Sequence, residues 1–251
     1  MSAETGQDPL YTHPDLVQFY DIENRWADDF TYCAELAKAA TSVLDLGCGT
    51  GELAAALAKG RRVVGVDPAA AMLDIAKRRV GGGLVRWVQA DARTLDLDER
   101  FDLILLTGHA FQVFLSDTDQ AAVLQSIARH LTPEGRYIFD SRNPAAKAWQ
   151  NWTPVRSRRQ IEHPTLGLVD VWNDARLDEP TELVRYQTFY QAQDGPEAFS
   201  AEAKIRFTSQ QALAARLQAA GLSVNQWLGN WGGDPLHNGS KEIIPIGGLL
   251  R

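Results

Sequence analysis

The sequence predicts an α/β fold: a doubly wound, mostly parallel sheet of seven strands, with an antiparallel β insertion before the sixth. Two observations carry this expectation. Between residues 42 and 140, short apolar runs alternate with segments whose apolar residues recur at three- and four-residue intervals. That is the pattern of parallel strands joined by crossover helices. Between residues 152 and 207 the alternation stops, and four β-rich runs follow one another across Pro- and Gly-containing breaks, as consecutive hairpins do.

Residues 1–13 are polar, with Gly6 and Pro9, and are expected to be mobile. Segment 14–40 reads as one or two helices, because Trp26, Phe30, Cys33, Leu36 and Ala37 keep helical spacing. The first strand, Val43-Leu44-Asp45-Leu46, runs into Gly47-Cys48-Gly49-Thr50-Gly51. A helix follows with Leu53, Ala54 and Leu57 on one side, stopped by Gly60. The second strand is Val63-Val64-Gly65-Val66-Asp67, the third covers 84–88, and the fourth is Phe101-Asp102-Leu103-Ile104-Leu105-Leu106. A helix is predicted over 117–131: Asp117 and Gln120 resemble a capping box, Val123, Leu124, Ile127 and Leu131 line one face, and Pro133 and Gly135 stop it. The insertion strands are placed at 155–162, 166–176, 182–191 and 199–207. Ser209 opens a helix with Leu213 and Leu217, Gly221 closes it, and strands at 222–229 and 242–249 finish the chain. This divides the sequence into an N-terminal helical cap at 1–41, an α/β core at 42–151, the insertion at 152–207 and the end of the core at 208–251.

At 251 residues, with 45% apolar and 23% charged residues, the composition is that of an ordinary globular protein. The net charge of −7 argues against a broad electrostatic footprint for nucleic acid. Cys33 and Cys48 are the only cysteines; two cysteines so placed make no zinc spacing or disulfide framework, and Cys48 is expected to be a small packed residue. There is no basic-then-apolar leader pattern in the first fourteen residues and no apolar stretch of membrane-spanning length. No membrane partner and a cytoplasmic location are therefore expected, with the chain a monomer or homodimer.

A strand, a tight glycine turn and a helix put bare backbone at the carboxyl edge of a sheet, where a ligand can approach closely. A dinucleotide fingerprint needs its third glycine five positions after the first; counting from Gly47, that position is Glu52. No Gly-Lys pair of a phosphate loop occurs. An acid at the helix entrance disfavours a pyrophosphate and suits a zwitterionic or cationic ligand better.

Asp45-Leu46-Gly47-Cys48-Gly49-Thr50-Gly51 resembles the D/E-x-G-x-G-x-G signature of class I S-adenosylmethionine-dependent methyltransferases. Further features follow in that family's order: Asp67 ending the second strand, Gln89-Ala90-Asp91-Ala92 after the third, Thr107-Gly108-His109 after the fourth, and Leu131-Thr132-Pro133-Glu134-Gly135, similar to an L-x-P-G-G turn. The resemblance spans about residues 42–140 and extends to small-molecule members with a β insertion, of the methyltransferase domain 25 type. The segment from Trp227 to Pro235 loosely resembles a Y-G-D-Y-D-G-x-P run of uncharacterised members.

The resemblance implies a Rossmann-like fold, S-adenosylmethionine as cofactor with S-adenosylhomocysteine as product, and a small-molecule methyl acceptor. It implies that Asp67 takes the ribose hydroxyls, while Asp91 and the Ala92 backbone meet the adenine. Asp67 capping the next helix, and Asp91 bonding its own loop, are the simpler alternatives. Met72 packs on the adenine or fills the core. Gly47 and Gly49 give the methionine end its room, Asp45 faces its ammonium or the turn's N–H groups, and the Thr107 carbonyl faces the same end. Gly51 is expected to serve close strand–helix packing. Tyr20 and Arg25 belong to helices that fold over the cofactor, with Arg25 a partner for its carboxylate. His109, as a catalytic or orienting residue, sits where the family places the reactive methyl; Phe111, Gln112 and His237 are candidate acceptor contacts. No metal is called for. The run Leu106-Thr107-Gly108-His109-Ala110-Phe111 lacks the D/N-P-P-Y/F pattern of nucleobase amino methylation, so no nucleic-acid partner is expected. His13 and His130 read as a tail and a surface helix residue, and Arg156, Arg158 and Arg159 as a solvated strand edge. The remaining alternative is a catalytically silent cofactor-binding module.

Overall fold

A computed structural model describes residues 9–251. Residues 1–8 of the segment expected to be mobile lie outside the described residues. Four short helices open the described chain: α1 (Pro9–Thr12), α2 (Pro14–Val17), α3 (Tyr20–Glu23) and α4 (Asp28–Leu36). His13 caps α2, its side chain accepting from the Asp15 N–H, and is thus an element of the fold. Strand β1 (Ser42–Leu46) then leads through the glycine turn into α5 (Glu52–Leu57). It is followed by β2 (Arg62–Asp67), α6 (Ala70–Arg78), β3 (Arg86–Gln89), β4 (Phe101–Leu106), α7 (Asp117–His130) and β5 (Leu131–Phe139). A two-residue β6 (Ser141–Arg142) precedes the insertion, β7 (Arg159–His163), β8 (Gly167–Asp178), β9 (Leu183–Ala192) and β10 (Ala198–Arg206). Helix α8 (Gln210–Ala219), β11 (Leu222–Leu228) and β12 (Glu242–Leu249) complete the chain.

The main sheet runs β11-β12-β5-β4-β1-β2-β3, with β6 as a short addition pairing with β12. Strands β1 to β5 pair in parallel along this order, and β12 is antiparallel to both β5 and β11. The predicted seven strands, doubly wound and mostly parallel, are all present. Alternation along each strand explains why both faces are dry. Leu44, Leu46, Val64, Val66, Ile104 and Leu106 face α7 and α8 in one core. Their neighbours Val43, Val63, Leu103 and Leu105 pack with Leu53, Leu57, Cys33 and Ala37 in the other. Among the described residues no helix is long and apolar enough to cross a membrane.

Local chemistry moved several boundaries. Helix α7 is capped by Ser116, whose Oγ accepts from the Asp119 N–H at 3.0 Å. Gln120 is instead fully buried and donates to Phe114 and Thr208. His130 is buried at 1% exposure, one ring nitrogen 2.7 Å from the Ser126 carbonyl and the other accepting from the Leu97 N–H; it is a core histidine, not a surface one. Strand β3 starts two residues late because Gly82–Leu84 makes a 3-10 turn, whose Gly82 carbonyl accepts from Trp87 Nε1 at 2.9 Å. Strand β7 starts at Arg159 because Thr153 to Ser157 close a turn, with the Ser157 Oγ tied to the Asn173 backbone.

The insertion forms its own antiparallel sheet, in the order β10-β9-β8-β7. One end of its inner face is apolar and closes over α2: Leu16 and Phe19 pack against Val169, Val171, Tyr190 and Ala201. Phe19 is stacked on Tyr190 with centroids 4.0 Å apart. Arg159 and Glu23 pair through two hydrogen bonds of 2.7 and 2.8 Å, and the Tyr190 hydroxyl donates to the same carboxylate. Arg159 therefore does not belong to a solvated edge; Arg158 does, paired with Asp170. On its opposite side the α2–α3 segment meets the glycine turn. Asp21 accepts from the Thr50 hydroxyl and from Arg79.

Candidate active site

The carboxyl ends of the parallel strands open into a cavity of about 2090 Å³. A pocket for one small ligand occupies about 300–1,000 Å³, so this space accommodates two reactants side by side. Asp45, Gly47, Gly49, Asp67, Asp91, Ala92, Thr107 and His109 line it from the main sheet, Tyr20 and Arg25 from the N-terminal helices, Met72 from α6 and His237 from the last loop.

Two glycines shape the side of the cavity after β1. Gly49 has φ +53°, and a Cβ there would stand 3.0 Å from the Tyr20 hydroxyl. Gly51, at φ +75°, would place a Cβ 2.4 Å from the Trp87 ring and 2.8 Å from Ala76, so it serves the tight packing of turn, strand and helix. Asp67 holds this arrangement. Its Oδ2 accepts from the Gly49 N–H at 2.9 Å and its Oδ1 from the Ala69 N–H at 2.8 Å. The capping role and a ligand role coexist, because each carboxylate oxygen keeps a further acceptor site. Burial raises its pKa, opposed by these two bonds.

Asp45 is 2% exposed, and its carboxylate has no hydrogen bond among the described residues. Burial, with the Asp67 charge nearby, pushes its pKa up to about 7. A buried carboxylate without a partner is costly, and the cavity offers it a place to meet a cation. Met72 (1% exposed) forms an apolar wall with Val17, Ala69 and Tyr20. Burial also raises the Tyr20 hydroxyl. Arg25 is exposed on the rim. Asp91 is held by Arg93, whose Nε lies 3.0 Å from both carboxylate oxygens and whose Nη2 donates to Oδ2 at 2.5 Å. That side-chain bonding keeps Asp91 below the usual carboxylate range. Arg93 also reaches Asp119.

At the other end, Gly108 and His109 both adopt positive φ, +67° and +61°, and turn the chain sharply after β4. The Thr107 carbonyl accepts from the Ala110 N–H at 3.3 Å. The turn sends Phe111 into the core, stacked on Phe139 at 4.6 Å. It also buries Gln112 completely, with its amide donating to the Arg206 carbonyl and accepting from Arg142. These two do not line the cavity; Val113, Phe114 and Leu115 do. His237 faces it from an exposed loop, its Nδ1 accepting from the Gly239 N–H.

His109 meets two acids that sequence reasoning missed. Its N–H donates to Asp140 Oδ1 at 3.0 Å, and its Nε2 lies 3.0 Å from Glu242 Oε2 and 3.4 Å from Asp140 Oδ2. Asp140 is 1% exposed, and burial raises its pKa. One donor atom from each residue falls within 4.8 Å of the others, a span a cation can occupy; the 3.0 Å contact is already a hydrogen bond that needs no ion. Asp140 had a signal in the sequence, since it directly follows β5, much as Asp67 ends β2. Glu242 had none: it comes from β12, 133 residues after His109.

Known proteins agree with this geometry. A methyltransferase domain model matches residues 43–135. The cypemycin N-terminal methyltransferase of a Streptomyces species is 31% identical over 209 residues, 82% of each chain. The CcbJ methyltransferase from Streptomyces caelestis superposes with a TM-score of 0.77 over 96% of this chain and 99% of its own, at 20% identity. The sugar N-methyltransferase KedS8 from Streptoalloteichus gives 0.73 over 100% and 98%, also at 20%. With a glycine turn and acid-ended strands around one cavity, and a relative matched over four-fifths of both chains, this chain belongs to the class I methyltransferases, enzymes whose cofactor is S-adenosylmethionine.

Proposed function

We propose that the enzyme moves the cofactor's methyl group to an amine nitrogen of a small molecule or short peptide. The observation that carries this reading is the acidic wall around His109. Asp29, Asp140 and Glu242 line the cavity together, and among the described residues none of them makes an ion pair with Lys or Arg. Such a wall attracts an ammonium group and repels an anionic acceptor. The names of two similar proteins, an N-terminal methyltransferase and a sugar N-methyltransferase, support the same chemistry.

In this reading Met72 and Tyr20 flank the adenosine, Asp67 takes the ribose hydroxyls, and Asp91 with the Ala92 backbone takes the adenine. The methionine end follows Gly47 and Gly49, its ammonium at Asp45 and its carboxylate toward Arg25. The reactive methyl then points to Thr107 and His109, and His237 borders the acceptor. Segment 1–41 acts as a cap, 42–151 and 208–251 as the cofactor-binding core, and 152–207 as the acceptor-facing unit. The sulfonium is already activated, so holding the reactants in line supplies most of the acceleration, up to about 7–11 kcal/mol.

The test offers methyl-labelled cofactor with a panel of primary and secondary amines and their hydroxyl counterparts. Label is expected in amines. Label confined to hydroxyl acceptors overturns the assignment and makes the enzyme an O-methyltransferase.

A further inference from the structure

We infer that His109 is the base that takes a proton from the acceptor ammonium, that it does so through Nδ1, and that Glu242 and Asp140 are positioning residues that fix it in this form. This rests on the amine reading above.

The argument starts from which ring nitrogen carries the proton. Nε2 faces two carboxylate oxygens, Glu242 Oε2 at 3.0 Å and Asp140 Oδ2 at 3.4 Å. A bare nitrogen lone pair between two anionic acceptors is repelled by both, whereas an N–H is bonded by both. The neutral ring is therefore the Nε2–H form, and the lone pair sits on Nδ1. Among the described residues Nδ1 has no hydrogen bond. The backbone reinforces this orientation, because the His109 N–H donates to the other Asp140 oxygen. Asp140 thus grips backbone and ring together, and the positive φ of His109 is stabilised by that grip.

The surrounding charges favour the same role. The groups facing the imidazole are Asp140 after β5, Glu242 at the start of β12 and Asp29 on α4. Arg142 acts on Asp140 from β6, but its guanidinium is engaged by Gln112 at 2.9 Å and lies over Trp152. Lys241, beside Glu242, lines the same cavity. The balance is negative, which draws an acceptor ammonium toward the ring.

The step balances as follows. An acceptor R–NH3⁺ gives one proton to Nδ1 and becomes R–NH2. Its lone pair then attacks the methyl carbon, the N–C bond forms as the C–S bond breaks, and the electron pair of that bond remains on sulfur. The products are a methylammonium ion and neutral S-adenosylhomocysteine. The proton on His109 leaves to solvent, since the ring is partly exposed.

The test compares pH–rate profiles for one amine acceptor in the wild type, His109→Asn and Glu242→Gln, with cofactor affinity measured by calorimetry. Asn tolerates the left-handed backbone of this position. For His109→Asn, kcat/KM at pH 7 is expected to fall about 100-fold or more. The rate then climbs with pH toward the wild-type value as the acceptor loses its proton unaided, while cofactor affinity stays unchanged. Glu242→Gln removes a negative neighbour, so the acid limb moves to lower pH and the plateau falls between about 10- and 100-fold. The assignment is overturned if His109→Asn keeps the wild-type rate at pH 7, or loses it equally at every pH. It is also overturned if Glu242→Gln leaves the acid limb in place, or if a chelator abolishes wild-type turnover and a divalent cation restores it. Should the first variant fail to fold, the Glu242→Gln profile decides alone. Wild-type enzyme that labels no amine overturns the amine reading itself; wild-type amine transfer with unshifted variant profiles overturns only the base.

Discussion

The two ends of the cavity are built in opposite ways. The end proposed for the cofactor comes from short neighbouring stretches, Asp45 to Gly51, Asp67 to Met72 and Asp91 to Arg93, each at or just after the carboxyl end of a strand. Its contacts are mostly between backbone and side chain across one pair of strands, as where Gly49 N–H meets Asp67. The acceptor end is assembled from distant segments. His109 follows β4, Asp140 follows β5 and Glu242 opens β12, and Glu23 meets Arg159 and Tyr190 across 136 and 167 residues. A ligand held by one strand–turn–helix unit needs only a local motif. An acceptor that differs between members is held by whatever the insertion and the last loop bring within reach. The difference predicts that substitutions at one end leave the other largely intact.

The largest expected effect is at Gly51. Valine there meets the Trp87 ring at 2.4 Å and must adopt φ +75°, costing about 3–6 kcal/mol in overpacking and backbone strain. Thermal unfolding should show a fall in Tm of about 10 °C or more, with cofactor binding lost alongside. A folded, cofactor-binding Gly51→Val protein would show that the local motif is not what holds that end. Asp67→Ala comes next. It removes two backbone bonds and the proposed ribose contact, and cofactor affinity by calorimetry should fall about 100-fold or more. Binding within threefold of the wild type would displace Asp67 from its assigned role.

The same contrast explains what the sequence disclosed. The parallel sheet was legible because period-two burial and helical spacing are local properties, and Leu44 and Leu46 against Val43 obey them. Asp45 and Asp67 were legible because an acid at the end of a strand lies at the sheet's carboxyl edge, and Asp91 because it follows the third strand in the order of the family it resembles. Glu242 was not, since nothing in Ser240-Lys241-Glu242 distinguishes it from any charged strand start. Phe111 and Gln112 were misplaced because the positive φ values of Gly108 and His109 rotate the next residues inward, and no side-chain pattern announces that rotation. Arg159 looked like an edge charge because its partner Glu23 lies in another layer of the fold.

Arg159 therefore tests the acceptor end alone. Arg159→Leu leaves the mostly buried Glu23 carboxylate with only the Tyr190 hydroxyl. The cost to stability is about 1–2 kcal/mol, reduced because the guanidinium is partly exposed. The acceptor KM should rise about tenfold, the scale of one such bond, while cofactor affinity changes by less. Equal changes in both would show that the α2–α3 strap, which also touches the glycine turn through Asp21 and Thr50, couples the two ends instead of separating them.

The last effect concerns Asp45 and requires a sign. Burial holds its pKa at about 7 in the cofactor-free protein, against about 3.9 in an unfolded chain. Between those values the folded chain keeps a proton that the unfolded chain has lost, so this group's contribution to stability falls as pH rises from about 4 to 7 and is level above. Asp45→Asn removes that slope. The cofactor-free variant should match the wild type near pH 4 and exceed it by up to about 10 °C in Tm at pH 7.5. In the proposed placement the cofactor's ammonium reverses the comparison: it would pair with the ionised carboxylate, so the rise in Tm on adding S-adenosylmethionine should grow between pH 6 and 7.5 in the wild type and stay flat in Asp45→Asn. A variant less stable than the wild type at pH 7.5 without cofactor would mean that Asp45 already has a partner in the fold. The motif's acid would then belong to the turn's own architecture, and the cofactor end would share no charge with its ligand at that position.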